Sequence, residues 1–145
     1  MILTDVNVLV YAFRREAERH EMYAGWLARV VDGADELALH DAVLSGFVRI
    51  VTNPRFMPDP APARTALDFV ARLRGATRAR WVPAGHQTWE ALGRLVDDDG
   101  GIRGNRVPDA HLAAVALAHG CRLATADRGF ARYPGLRWFD PATAA

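Results

Sequence analysis

The chain switches repeatedly between short apolar runs and stretches in which apolar residues return every three or four positions. Ile2 to Asp5 predicts a strand ending near the aspartate, and VNVLVYAF behind it predicts a helix, apolar except for Asn7. Tyr23, Trp26, Leu27 and Val30 share one stripe of an amphipathic helix that Gly33 can end. ELALH predicts a second strand, and Asp41 is placed to cap a helix carrying Val43, Phe47 and Ile50, stopped by Asn53 and Pro54. Past a proline-rich connector, Pro54 to Pro62, a stripe of Ala66, Phe69, Val70 and Leu73 stops at Gly75. ARWVP then reads as a strand, and Trp89, Leu92, Gly93 and Val96 as the next helical face. The polar DDDGGIRGN loop leads to Pro108 in a first helical turn and a helix from Ala110 to His119, with Gly120 as stop. CRLATAD is a strand whose end delivers Asp127, and LRWFD is a last short strand. Strands alternating with helices need crossovers, so the expected class is α/β, one mainly parallel sheet between helical layers.

Composition narrows the classes. The chain has 145 residues, half of them hydrophobic and 24% charged, which suits one ordinary globular domain over 1–145 and excludes a disordered or fibrous chain. The longest apolar run, Val6 to Phe13, contains Asn7 and is far shorter than the roughly 18 apolar residues of a membrane span, so no membrane association is expected. The opening residues carry no basic region before an apolar stretch, and Cys121 is the only cysteine; a reducing cytoplasm is the expected setting. All 18 basic residues are arginine and the net charge is +1. Their distribution is uneven, with seven arginines against two acids between residues 49 and 80. Such a patch can attract nucleic-acid phosphate, although a solvated arginine-rich helix gives the same count.

The chemistry lies in acids at element ends. In open parallel sheets ligands gather beyond the carboxyl ends of the strands. Asp5 closes the first strand, Asp127 follows the RLAT strand, and Asp109 opens the helix after the glycine loop. If the fold brings them together, like charges about 4 Å apart repel by roughly 4 kcal/mol per pair at an effective dielectric near 20, so the cluster calls for a cation. Carboxylate oxygens suit Mg²⁺, with Mn²⁺ able to substitute, and the isolated cysteine and scattered histidines argue against structural zinc. Each acid also has a structural reading: Asp109 as a helix-dipole partner, Asp127 as a turn residue. Asp5, between apolar runs, is the hardest to explain that way. Asp97 to Asp99 read as a solvated loop tip. No phosphate loop or GxGxxG is present, and Ser45, the only serine, lies in a helical pattern without a nucleophile elbow.

LTDVNVLVYAF, GNRVPDAHLAAVALAHG and LATADRGFARYPGLRWFDP, in this order and spacing, resemble PIN-domain proteins, specifically the VapC-type toxin ribonucleases of bacterial type II toxin–antitoxin systems. GFVRIVTNPR resembles one branch of them. The resemblance implies a PIN-like three-layer α/β/α sandwich and Mg²⁺-dependent endonucleolytic cleavage of RNA. It also implies a homodimer and inhibition by a cognate VapB-type antitoxin. Position by position it marks Asp5, Asp109 and Asp127 as catalytic metal ligands and Asn7 as their support. One family feature is missing: the glutamate many members carry on the helix after the second strand has no counterpart in VLSGFVRIV. Asp41 could stand in from a displaced position, but capping explains it equally well. A phosphotransfer hydrolase of the haloacid dehalogenase kind would need an aspartate where Asn7 stands. The alternative from another class is a catalytically impaired PIN-like module that binds RNA or protein without cutting.

Overall fold

A computed structural model describes residues 1–143. Five strands form one sheet: β1 (Ile2–Thr4), β2 (Leu37–Leu39), β3 (Ala79–Trp81), β4 (Arg122–Ala124) and β5 (Trp138–Phe139). Six helices accompany them: α1 (Val6–Phe13), α2 (His20–Asp32), α3 (Asp41–Val51), α4 (Ala63–Arg74), α5 (His86–Asp98) and α6 (Val107–His119). The strand order is β3-β2-β1-β4-β5 and every pairing is parallel. The α/β expectation therefore holds, with the sheet parallel throughout.

The order of the strands determines where a site can form. From β1 the chain steps outward to β2 and β3, then returns across the sheet to β4 on the other side of β1. Right-handed crossovers put the helices of the outward steps on one face and those of the return on the other. The packing agrees: α1 touches α2 and α3, α3 touches α4, and α5 pairs with α6. The reversal of direction falls between β1 and β4, so the crevice opens beyond their carboxyl ends. Their register, Ile2 beside Arg122 and Thr4 beside Ala124, ends both strands at the same level, and Asp5 leaves β1 as Thr125 leaves β4.

The core explains the helices. Ile2 and Leu3 are buried, as sheet residues covered on both sides must be. In α6, Ala110 and Ala113 to Ala116 have no exposed area, and these small side chains allow close approach to the sheet. Phe47 of α3 is fully buried, stacked on Phe69 of α4 at 4.9 Å and edge-on to Phe13 of α1 at 5.3 Å.

Two local expectations need correction. The buried face of α5 is Thr88, Ala91, Leu92 and Leu95, not the stripe through Trp89, Gly93 and Val96; Trp89 is 60% exposed. The reason is the helix start, where the Thr88 hydroxyl turns inward and takes the Gly85 N–H at 3.3 Å. Trp81, on the edge strand, is 54% exposed. Asp41 does not cap α3: His40 holds that position, and Asp41 is an exposed residue of the first turn.

Candidate active site

The aspartate that ends β1 is the N-cap of α1. Its Oδ1 accepts the Val6 N–H at 2.7 Å, one of the amides a helix start leaves unpaired. Its Oδ2 accepts from the Thr125 hydroxyl at 2.7 Å and from Asn7 Nδ2 at 3.2 Å. Thr125, fully buried, spends its one proton on Asp5 and uses a lone pair to accept the Asp127 N–H at 3.0 Å. Asn7 Oδ1 accepts the Ala126 N–H at 3.2 Å. The ends of β1 and β4 are thus tied by side chains as well as by the ladder.

Asp109, in the first turn of α6, and Asp127, the N-cap of a 3₁₀ turn over Arg128–Arg132, complete the cleft. Asp127 Oδ1 accepts the Gly129 N–H at 2.7 Å. Asp5, Asn7, Asp109 and Asp127 line one open cleft of about 320 Å³, together with Val6, Val10, Tyr11 and Ile50. Acids as far apart in sequence as 5 and 127 therefore share one space.

The electrostatics match that crowding. Burial pushes the Asp5 carboxyl above its ordinary range, the Thr125 and Val6 hydrogen bonds oppose the shift, and the charges of Asp109 and Asp127 add to it. Asp109 is also raised, first by desolvation and then by Asp127, with Arg132 pulling it back. Asp109 is exposed as a residue, so its shift carries little weight for stability.

Among the described residues no group of three His, Cys, Asp or Glu is placed to hold a metal ion. The donors lining the cleft are oxygens, which suit a hard cation that uses one or two carboxylates and keeps its waters, and not a four-ligand zinc site. No acid enters the cleft from α3. A Cβ on Gly46 would stand 3.2 Å from Val6 Cγ2, and Ile50 forms the wall on that side. Asp97 to Asp99 do not line the cleft; Asp99 closes its own turn on the Gly101 N–H. The arginines of residues 49–80 do not line it either. Arg78 and Arg80 face Glu36, and Arg64 pairs with Asp68. Thr125 and Arg132 escaped the sequence reading. The signal available was the TAD tripeptide, a hydroxyl two residues before an acid at a strand end.

The sequence model of the PIN domain matches residues 2–136. The chain belongs to the PIN-domain family. Within it the chain falls among the VapC ribonucleases, the toxins of type II toxin–antitoxin systems. It is 42% identical to ribonuclease VapC43 of Mycobacterium tuberculosis over 97% of this chain and 95% of that one. The VapC ribonuclease Mb2897 of Mycobacterium bovis matches to the same extent. Among solved structures, VapBC2 from Rickettsia felis, bound to a DNA fragment from its promoter, gives a TM-score of 0.68 at 21% identity, covering 97% of this chain and 98% of that one. Nucleases of this family generally depend on a metal ion. No described helix is long and apolar enough to cross a membrane.

Proposed function

We propose that this PIN-domain toxin cuts RNA phosphodiesters in the cleft between Asp5, Asp109 and Asp127, with Mg²⁺ as its ion and Mn²⁺ able to replace it. The observation that carries the proposal is the convergence of these three acids at the crevice between β1 and β4. When bound there, the ion lowers the pKa of a water, orients the phosphate and offsets charge developing on its oxygens.

The chain's own residues do the rest. Thr125 and the Val6 amide hold the Asp5 carboxylate in one orientation, while Asn7 braces it against the loop after β4. Asp109, in the first turn of α6, lines the same space, so Asp5 and Asp109 would hold the ion. Asp127 adds negative potential and positions the end of β4. Arg132, whose charge already acts on Asp109, and Arg106 just before α6 are the cations available to RNA phosphate near the cleft.

A VapB-type antitoxin and a homodimer follow from the same reading; VapBC pairs are among the fold neighbours. The lone buried Cys121 suits a reducing compartment. One observation favours the alternative, a module that binds without cutting: α3 brings no acid into the cleft, its single acid, Asp41, lying exposed in the first turn. Purified protein decides between them. Cleavage of single-stranded RNA with Mg²⁺, lost on chelation and in Asp5→Asn and Asp109→Asn variants that keep their fold, supports the nuclease. RNA retained without products at every metal concentration supports the binding module.

A further inference from the structure

Behind the acid pair lies a second, smaller hollow of about 140 Å³, lined by Asp5, His40, Val43, Asp109, His111 and Leu112 among others. Two of its walls are therefore the carboxylates that face the cleft, and whatever nucleotide flanks a phosphate held there lies beside it. The remaining walls are imidazole and aliphatic. No cationic arginine lines it, so it suits a neutral ring better than a second phosphate.

His40 gives the hollow its chemistry. The residue is 95% buried, with 5% of its surface exposed, and ends β2 as the N-cap of α3. Its Nδ1 lies 2.8 Å from the Val82 carbonyl, which can only accept, so Nδ1 carries the proton. Nε2 is left as a bare lone pair, and it is the one buried side-chain nitrogen or oxygen without a partner among the described residues. A buried acceptor without a donor is unfavourable, and few native structures keep one without a reason. Opposite it stands His111, half-buried, with its ring centroid 6.1 Å from that of His40 and 5.3 Å from the indole of the exposed Trp89. These two rings give a flat ligand a surface to stack on at the mouth. The opening amides of α3 have no side-chain cap, so donors are also present at the rim beside Ala42.

The side-chain polar groups lining the hollow are the Asp5 and Asp109 carboxylates and the His40 and His111 imidazoles, with His40 Nε2 able only to accept; the other walls are apolar. We infer that it seats adenine or cytosine, from the nucleotide next to the scissile phosphate, with His40 Nε2 accepting from the adenine 6-amine or the cytosine 4-amine as the His111 ring turns aside. Guanine and uracil have a carbonyl oxygen in place of that amine, and the oxygen would meet a lone pair. This inference rests on the nuclease reading for the identity of the ligand, but its test does not require cleavage.

The four ribonucleoside monophosphates serve as probes, titrated into the full chain without metal while the imidazole ring signals of His40 and His111 are followed by NMR. Adenylate and cytidylate should move both signals, with guanylate and uridylate binding roughly tenfold more weakly, the effect of one lost hydrogen bond. In His40→Asn the side-chain amide can still donate to Val82 but places no acceptor where Nε2 stood, and the discrimination against guanylate and uridylate should vanish. Ala42→Leu, at an exposed position on the rim, should weaken all four nucleotides together and remains informative if the His40 variant fails to fold. Equal affinity for guanylate or uridylate, unmoved ring signals, or discrimination that survives His40→Asn overturns the inference. Failure of the wild-type chain to cleave RNA with Mg²⁺ would instead overturn the nuclease reading.

Discussion

Replacing Thr125 with valine removes one oxygen from the floor of the site and little else, because valine has nearly the same shape and Thr125 is fully buried. Three bonds go with the hydroxyl: its donation to Asp5 Oδ2 at 2.7 Å, its acceptance of the Asp127 N–H at 3.0 Å, and a long acceptance from Asn7 Nδ2 at 3.4 Å, an amide that keeps its bond to Asp5. The first is short and ends on a carboxylate, a class of bond that contributes about 1.5–3 kcal/mol. The second frees an amide of an exposed residue, which water can satisfy at little cost. The loss therefore falls on the Asp5 carboxylate. The Thr125 hydrogen bond is the main influence holding the Asp5 pKa down against burial, so removing it lets the pKa rise further. A proton then competes with the ion up to higher pH. Losing a partner of this kind typically lowers metal affinity by about 10–100-fold. The assay is RNA cleavage rate against Mg²⁺ concentration at several pH values. Thr125→Val should need about 10–100-fold more Mg²⁺, with the acidic limb of its pH profile displaced upward and activity recovering toward alkaline pH. A variant with wild-type Mg²⁺ dependence and an unmoved acidic limb would refute the reasoning, since the hydroxyl would then do nothing for the carboxylate.

Asp5 also makes a prediction about stability. A carboxyl whose folded pKa lies above its unfolded one stabilises the fold at low pH and loses that contribution as pH rises through the folded value; Asp5→Asn should therefore raise the metal-free melting temperature at neutral pH, with the gain shrinking in acid. Calorimetry checks it, and a lower neutral melting temperature in the variant would count against it. Arg132→Ala should raise KM for RNA and reduce the slope of log KM against log salt by roughly one phosphate contact, leaving kcat less affected. Phe47→Ala, which empties the space between Phe13 and Phe69, should cost about 3–5 kcal/mol in urea unfolding, and a loss under about 1 kcal/mol would show that α3 is not anchored there.

Much of this architecture is legible in the sequence because strands and helices here differ sharply in period. The segments ELALH and LRWFD contain β2 and β5 with a residue or more to spare, since ladder bonds stop where the partner strand stops. The site was legible at Asp5, where a carboxylate between two apolar runs has to be satisfied by something. It was less so at Thr125, because threonine in a strand reads as a β-branched filler and nothing local shows that its hydroxyl points to a residue 120 positions earlier. The face of α5 misled for a related reason. Tryptophan and valine outrank threonine on any hydrophobic scale, yet Thr88 is 1% exposed because capping turns it inward, and Trp89 is left outside beside His111. His40 reads as an ordinary polar end to a strand. Only the fold closes α3 and α6 over it.

The distance between the acids along the chain follows from the topology. A parallel sheet that grows outward from β1 and then returns must place the strand on the far side of β1 late in the sequence, so the residues ending β1 and β4 are neighbours in space and remote in the chain. A single residue change after either strand can alter the site without disturbing the hydrophobic layers, whose buried residues lie within the strands and on the inner helix faces. The α3 side shows the limit of that freedom. A Cβ at position 46 would stand 3.2 Å from Val6 Cγ2, so that methyl would have to give by a few tenths of an ångström, and Ile50 lines the wall one turn on. The packing of α1 against α3 leaves little room for a larger side chain at this point of the wall. A Gly46→Glu change should therefore lower stability before it adds a ligand.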